Sequence, residues 1–409
     1  MADLERLLAA FASGTCVRPS ARDANLLDLV TAIAAATGVP GAAPTGHAGA
    51  IAERLAGAEH VVFVLADGLG LHFVDALPRD AWLRRHLVQP LLAPFPSTTA
   101  VSITSIGTGR WLTDHASPGW WAYLPAQDLI AVPLPFQRLA DERPLDELGI
   151  APADVFPVPS LMSRMRHAPE LVLPAAIADS AYSRYLGGTA TRAGYDTLAG
   201  AVEHIAARVE AADGPTYTYW YVSRVDTLAH ELGTTHERTT DALRDLDEQL
   251  AALAGRVAEL AAPVRVVVTA DHGHLDVPEG GRQMLAADDP LLAFLRFHPT
   301  GDVRVVYFHV RADANAEAHA AFRALFAARF EQRWVLLTTD EVDALRLMGP
   351  NPLSAETRAR IGDYTAIALG AEVMRYAGVP GAERFLRQQS QHSGLSPHEM
   401  TIPLVIAGN

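Results

Sequence analysis

Cysteine is all but missing: Cys16 is the only one in 409 residues, so the chain has no internal disulfide and no thiolate cluster to hold a metal. Positive charge is scarce as well, with 33 Lys and Arg against 47 Asp and Glu and a net charge of −14. That balance argues against a nucleic-acid backbone as the main partner. It leaves room for a small anionic substrate, because bound dications reverse the local field of a site. No apolar run approaches the roughly 18 residues of a membrane span. The start, Met1-Ala-Asp-Leu-Glu-Arg-Leu, lacks a basic stretch followed by an apolar core. No internal repeat or low-complexity tail occurs, and the alanine clusters lie inside helical patterns. These absences predict a soluble, cytoplasmic chain with no nucleic-acid polymer and no membrane as partner; assembly into a homo-oligomer stays open.

What is present is ordinary globular material, 49% hydrophobic and 20% charged. Single cores stop growing beyond roughly 250–300 residues, so the length predicts one large domain carrying a smaller lobe. Residues 1–58 read as helices over Leu4 to Phe11, Leu26 to Ala35 and Ala48 to Ala56. The first strong strand is His60 to Ala66, apolar throughout, as in a strand covered on both faces. Further strands are expected at Thr216 to Val222, Val264 to Ala270, Val303 to Val310, Trp334 to Leu337 and Ile402 to Ile406. Helical segments at 198–212, 235–260 and 314–330 separate most of them. The alternation predicts an α/β fold with a mainly parallel central sheet flanked by helices. The expected core is 1–283 plus 350–409, with a Pro-rich, irregular excursion at 124–195. Residues 284–349 read as a small inserted α+β lobe.

Chemistry-bearing residues follow several of these strands. Asp67 ends the first one and precedes Gly68-Leu-Gly70, which suits a carboxylate gripping a hard dication or, equally, an N-cap. Phe95-Pro-Ser-Thr-Thr99 leads into a helix over Ile103 to Gly109. Thr99 would lie near its positive end, as a simple cap or as a hydroxyl activated beside a metal. Asp226 and His230 stand four residues apart, so they share one side of a helix as a metal-gripping pair or a surface pair. Asp271-His272-Gly273 gives a compact O/N pair at a strand end, better suited to zinc or manganese than to calcium. Near the C-terminus His392 is the favoured ligand and His398 its competitor. His115, His236 and His274 are weaker ligand candidates that read more readily as solvated or structural histidines, and Asp247 as a supporting or surface carboxylate. A parallel α/β sheet binds ligands in the crevice outside the carboxyl ends of its strands, so these scattered residues are expected to converge there.

Val-Leu-Ala-Asp67-Gly, Phe95-Pro-Ser-Thr-Thr99, Asp226-Thr-Leu-Ala-His230, Ala-Asp271-His272-Gly and His392-Ser-Gly together resemble the alkaline phosphatase superfamily. The branch they are most similar to is that of the nucleotide pyrophosphatases/phosphodiesterases. The resemblance covers roughly 58–123, 196–283 and 375–409, in the family's order. It implies two divalent ions, zinc or alternatively manganese. One would be held by Asp226, His230 and His392, the other by Asp67, Asp271, His272 and the Thr99 oxygen. It implies that Thr99 is the nucleophile of a covalent phospho-threonine reaction on a small anionic phosphate ester. The family's usual phosphate-contacting Asn, three residues after the nucleophile, is replaced by Ser102, whose hydroxyl is the expected phosphate contact. His392 is followed by Ser where many relatives have Gly.

No phosphate-binding Arg stands beside Thr99, which favours diesters, although Arg110 or Arg224 folding inward would reverse that. Trp120, Trp121 and Tyr123 are candidates for stacking on the leaving group or for core packing. The expected function is a metal-dependent phosphodiesterase or nucleotide pyrophosphatase. The rivals are a phosphonate hydrolase or phosphomonoesterase on the same site, and a non-catalytic binding protein on the same fold.

Overall fold

A computed structural model describes residues 2–409. Its main sheet has seven strands, in the spatial order Leu87–Leu92, Thr401–Gly408, Val264–Thr269, His60–Ala66, Thr216–Val222, Ala168–Pro174 and Thr191–Tyr195. All neighbours pair in parallel except Thr401–Gly408, which runs antiparallel to both of its partners. His60–Ala66 sits at the centre and every residue in it is buried. Burying each of its Val, Leu and Phe side chains contributes roughly 1.5–3 kcal/mol, and its β-branched residues fit the pleat. Two groups of helices cover the sheet: Leu26–Ala36, Gly46–Leu55, Thr99–Thr108 and Ala181–Gly187 in one, Leu198–Glu210, Arg224–Leu232 and Glu237–Ala258 in the other. No described helix is long and apolar enough to cross a membrane.

Register places the site. His60 pairs with Thr216 and Val264, and Leu65 with Tyr221 and Thr269, so the three central strands end level with one another. Asp67, Asp271 and the helix bearing Asp226 therefore emerge side by side. The antiparallel direction of Thr401–Gly408 brings the loop before it, with His392, to this same edge. Leu87–Leu92, a strand that the sequence pattern did not reveal, delivers the Ser97–Thr99 loop there too.

Two expectations change. The stretch 124–195 is only partly an excursion: Ala122–Leu124, Leu129–Val132 and Gln137–Arg138 form a small antiparallel sheet, whereas Ala168–Pro174 and Thr191–Tyr195 are the last two strands of the main sheet, the second of them at its edge. Pro169 and Glu170 interrupt the apolar run of the first, and the short second one, Thr-Arg-Ala-Gly-Tyr, has none, as an edge strand permits. The lobe also reaches past 349. Its four-stranded antiparallel sheet runs Thr300–Gly301, Val305–Phe308, Tyr364–Ala368, Trp334–Thr338, so a strand beyond that boundary sits in its middle. Helix Ala316–Phe330 covers this sheet through Phe322, Phe326 and Phe330.

Candidate active site

Thr99 is the first residue of helix Thr99–Thr108, four positions earlier than the sequence pattern suggested. All ten of the helix's residues are buried, and Gly109 closes it at φ 64°. Thr98 caps it from an extended conformation, and the Thr98 hydroxyl donates to Asp302 at 2.7 Å. That leaves the Thr99 hydroxyl facing the cluster, with Oγ1 3.1 Å from Nε2 of His272.

Around this point the structure brings together Asp67, Asp271, His272, Asp226, His230 and His392, the six residues expected to converge. Nε2 of His272 lies 3.4 Å from Oδ1 of Asp67 and 3.4 Å from Oδ2 of Asp271. Nε2 of His230 lies 3.3 Å from Oδ1 of Asp226, and Nε2 of His392 lies 3.9 Å from the same oxygen. The ring of His392 stacks on that of His272 at 3.6 Å between centroids. His398, its competitor, is exposed on the far side and packs against His72.

The donor chemistry fits divalent ions. Oδ1 of Asp67 and Oδ2 of Asp271 are buried with no hydrogen-bond partner, which is costly for carboxylate oxygens unless a cation meets them. Ligands about 2.0–2.1 Å from one tetrahedral ion stand roughly 3.3 Å apart, close to the spacings above. Nδ1 of His272, His230 and His392 faces the backbone carbonyls of Gly273, Ser390 and Ser97 at 3.1, 2.9 and 3.2 Å. Protonation at Nδ1 leaves each Nε2 lone pair directed into the cluster, the tautomer that metal-binding imidazoles adopt. Three donor groups result, Asp67–Asp271–His272, Asp226–His230–His392 and Asp226–His272–His274; the third shares its Asp and one His with the other two.

Electrostatics agree with an excess of negative charge awaiting a cation. Burial, then the charges of Asp226 and Asp271, push the Asp67 carboxyl well above its ordinary range. Burial also acts on Asp226, but His230 and His274 outweigh it and hold that carboxyl low. Burial and then the neighbouring imidazoles drive His392 well down, so its ring is neutral.

The local chain is shaped for this crowding. A Cβ on Gly68 would meet Nε2 of His274 at 2.7 Å, and one on Gly273 would clash with the backbone carbonyl of His398. Ser393 holds φ 97°, a region costly for a residue with a Cβ. Its hydroxyl accepts from the Arg304 backbone N–H at 3.2 Å, and Ser97 pairs with it across an antiparallel bridge. The His392 loop and the Thr99 loop are thus stitched together.

Ser102 requires a correction. Its side chain is fully buried, and its hydroxyl donates to the backbone carbonyl of Asp271 at 2.8 Å. It sits one turn down the helix, facing the strand end, and so steadies Asp271 rather than reaching a phosphate. Asp247 caps the short helix Trp82–Arg85 through the N–H groups of Trp82 and Leu83. His236 caps Glu237–Ala258, and His115 is buried against Ser105. Trp120 and Trp121 line the cavity in front of the cluster, whereas Tyr123 packs on Phe297 and His309.

Two contributors, Tyr221 and Asp302, escaped the sequence reading, and a third, His274, was ranked there only as a weaker candidate. His274 lies inside the cluster: it donates from Nε2 to Oδ1 of Asp226 at 2.9 Å, and Ser390 Oγ stands 3.0 Å from its Nδ1. With Nε2–H committed, it orients Asp226. Tyr221 donates to Oδ2 of Asp67. Its place next to last in the strand that leads to Asp226 was the available signal. Asp302 receives Thr98, and nothing local in the sequence distinguishes it. The cavity itself measures about 1210 Å³ and is walled by Ile103, Leu134, Leu173, Tyr182 and Leu186.

The sheet, with carboxylates and imidazoles massed at its carboxyl edge, defines an alkaline phosphatase-like protein. Residues 153–383, more than half of the chain, match the family described as Type I phosphodiesterase / nucleotide pyrophosphatase, and the chain belongs to that family. No curated protein matches it by sequence. Among solved structures it is similar to murine ectonucleotide pyrophosphatase / phosphodiesterase 5, at TM-score 0.62 and 15% identity over 84% of this chain and 87% of that one. The same murine protein, inactive and in complex with AMP, aligns at TM-score 0.62 and 16% identity over 85% and 87%. Phosphonoacetate hydrolase from Sinorhizobium meliloti 1021, in complex with phosphonoformate, aligns at TM-score 0.58 and 16% identity over 84% and 89%.

Proposed function

We propose that the protein is a divalent-metal-dependent hydrolase of phosphate esters, a phosphodiesterase or nucleotide pyrophosphatase, with Thr99 as nucleophile. The observation that carries this reading is a helix-borne hydroxyl 3.1 Å from His272, beside two buried carboxylate oxygens that have no partner. Asp67, Asp271, His272 and the Thr99 oxygen would hold one ion and Asp226, His230 and His392 the other. Zinc is favoured by the mixed O/N donors, with manganese the alternative. Such ions supply Lewis acidity to the hydroxyl and to the phosphoryl oxygens.

The chain's own residues do the rest. The Thr99 oxygen bonds to phosphorus as the bond to the leaving-group oxygen breaks. Water then cleaves the phospho-threonine and restores the hydroxyl. The N-terminus of the Thr99 helix turns its positive end toward the phosphoryl group. Tyr221 and His274 fix the Asp67 and Asp226 carboxylates, and the apolar wall receives the leaving group. A small phosphate ester or phosphoanhydride fits a cavity of this scale, in keeping with the AMP and phosphonoformate bound by the structural relatives.

Zinc- or manganese-loaded protein should hydrolyse bis(p-nitrophenyl) phosphate in preference to p-nitrophenyl phosphate and phosphonoacetate, and lose that activity in chelator. A monoester preference of about a hundredfold, roughly 2.7 kcal/mol in barrier, would overturn the diesterase reading. Undiminished activity after exhaustive chelation would overturn the role of metal.

A further inference from the structure

Among the described residues the two fully buried arginines are satisfied, whereas the half-buried Arg375 is not. Arg304 pairs with Glu399 and donates to the carbonyls of Gly370 and Glu372. Arg360 pairs with Glu356 and donates to the carbonyls of Ala116 and Val155. Arg375 stands on the strand Val373–Tyr376 of the lobe and lines the same cavity as Thr99 and His392. Among the described residues it makes no ion pair. Its Nη2 reaches only the Pro380 carbonyl, at 3.3 Å, and its Nε is buried without an acceptor. Its guanidinium lies over Trp121, 4.1 Å from the ring centroid, which holds the plane in place.

This group is tied firmly to the nucleophile. The N–H of Met374 donates to the carbonyl of Val303 at 2.8 Å, and the adjacent Asp302 accepts the Thr98 hydroxyl. The two Asp302 oxygens accept from the Thr98 hydroxyl and the Val303 N–H at 2.7 Å each, and no ion pair joins Asp302 to Arg375 among the described residues. Burial draws the Arg375 guanidinium down to about 10, with Asp302 opposing the shift, which leaves it cationic at neutral pH. Arg384 and Arg387 line the cavity as well, and among the described residues neither forms an ion pair. A chain of net charge −14 thus presents unpaired positive charge beside its reaction centre. A desolvated guanidinium without a carboxylate is costly to keep, and its planar fork matches oxyanions.

We propose that Arg375, braced by Trp121, binds a second oxyanion of the substrate, a carboxylate or a phosphate, separate from the group that meets Thr99. The inference rests on the reading of the cavity as a phosphate-ester site and adds that ligands of that site carrying a second anionic group bind more tightly than those carrying one. Arg375 is thereby a specificity determinant contributed by the lobe, and the main sheet supplies the reacting centre.

Calorimetric titration of the metal-loaded protein with methylphosphonate, phosphonoacetate and methylenediphosphonate tests it without turnover, because these probes differ by one added group. The added anion should tighten binding by about 30-fold, the scale of a charge-assisted hydrogen bond. Arg375→Met should remove most of that gain while weakening methylphosphonate far less, and Arg375→Lys should recover part of it. Whichever of the two dianionic probes shows the Arg375-dependent gain identifies the second group as carboxylate or phosphate. No gain in the wild-type protein, a gain that survives Arg375→Met, or an equal loss on all three probes would each overturn the proposal. Failure of methylphosphonate itself to bind would instead remove the phosphate-ester reading, and this inference with it.

Discussion

The hydroxyl of Tyr221 donates to Oδ2 of Asp67, and Oδ1 of that carboxylate is left buried and unpartnered beside His272. Neighbouring strands fix this pair, since Leu65 and Tyr221 are in register. A partner that orients a metal-binding carboxylate typically changes affinity 10–100-fold when removed. Tyr221→Phe should therefore weaken zinc binding by about tenfold, read by competition with a chromogenic chelator. Unchanged affinity would show that the tyrosine serves packing alone.

Thr99→Ala should abolish turnover, by a factor of at least about a thousand, with metal content nearly intact by elemental analysis. Residual activity within about tenfold of wild type would move the nucleophile elsewhere. Thr98 is a poor substitute, because its hydroxyl is committed to Asp302.

His392→Ala should lower metal occupancy, whereas His398→Ala should not. His392 stacks on His272 within the cluster, and His398 is turned outward against His72. Elemental analysis of both variants after dialysis decides the assignment, and the reverse result would exchange the two histidines.

Arg304 and Glu399 form a fully buried ion pair, 2.6 Å between Nε and Oε1. Glu399 also accepts the Gly394 N–H at 2.7 Å, which anchors the His392 loop. Removing one partner of a buried pair costs about 3–5 kcal/mol because the other charge is left uncompensated. Glu399→Ala should lower the unfolding free energy by about 3 kcal/mol in urea. A loss under about 1 kcal/mol would mean that water replaces the carboxylate.

Burial drives His115 down to about 3, with Arg360 adding to the shift, and burial likewise takes His309 to about 4. Both values lie below the unfolded one of 6.5. Between the folded and unfolded values the unfolded chain binds protons that the folded chain refuses. Stability is therefore fully present above 6.5 and falls as the pH drops toward 4 and then 3. Urea midpoints measured from pH 7 to 5 should decline, and His115→Gln should flatten the slope. A midpoint that rises on acidification would contradict this burial.

His60–Ala66 and Val264–Thr269 were legible in the sequence because a strand covered on both faces must be apolar along its length. Asp67 and Asp271 were legible because carboxylates directly after such strands stand at a shared edge. Leu87–Leu92 and Ala168–Pro174 were not: the first is an edge strand, which needs no unbroken apolar run and accepts proline, and the second, one place in from the edge, is interrupted by Pro169 and Glu170. Ser102 misled because its spacing from Thr99 is local, while the Asp271 carbonyl that takes its hydroxyl lies 169 positions away.

By itself, then, the sequence determined the alternation of strand and helix, the hydroxyl at the start of a buried helix, and the order in which carboxylates and imidazoles arrive at the sheet's edge. Periodicity and chain adjacency carry that information. Only the tertiary structure decided that the last strand runs antiparallel and so delivers His392, that His274 and Tyr221 brace the two carboxylates, and that Arg375 of the lobe faces the cavity unpaired. Those outcomes depend on which distant groups meet each side chain. Partners 48 to more than a hundred residues away leave no trace in the local pattern.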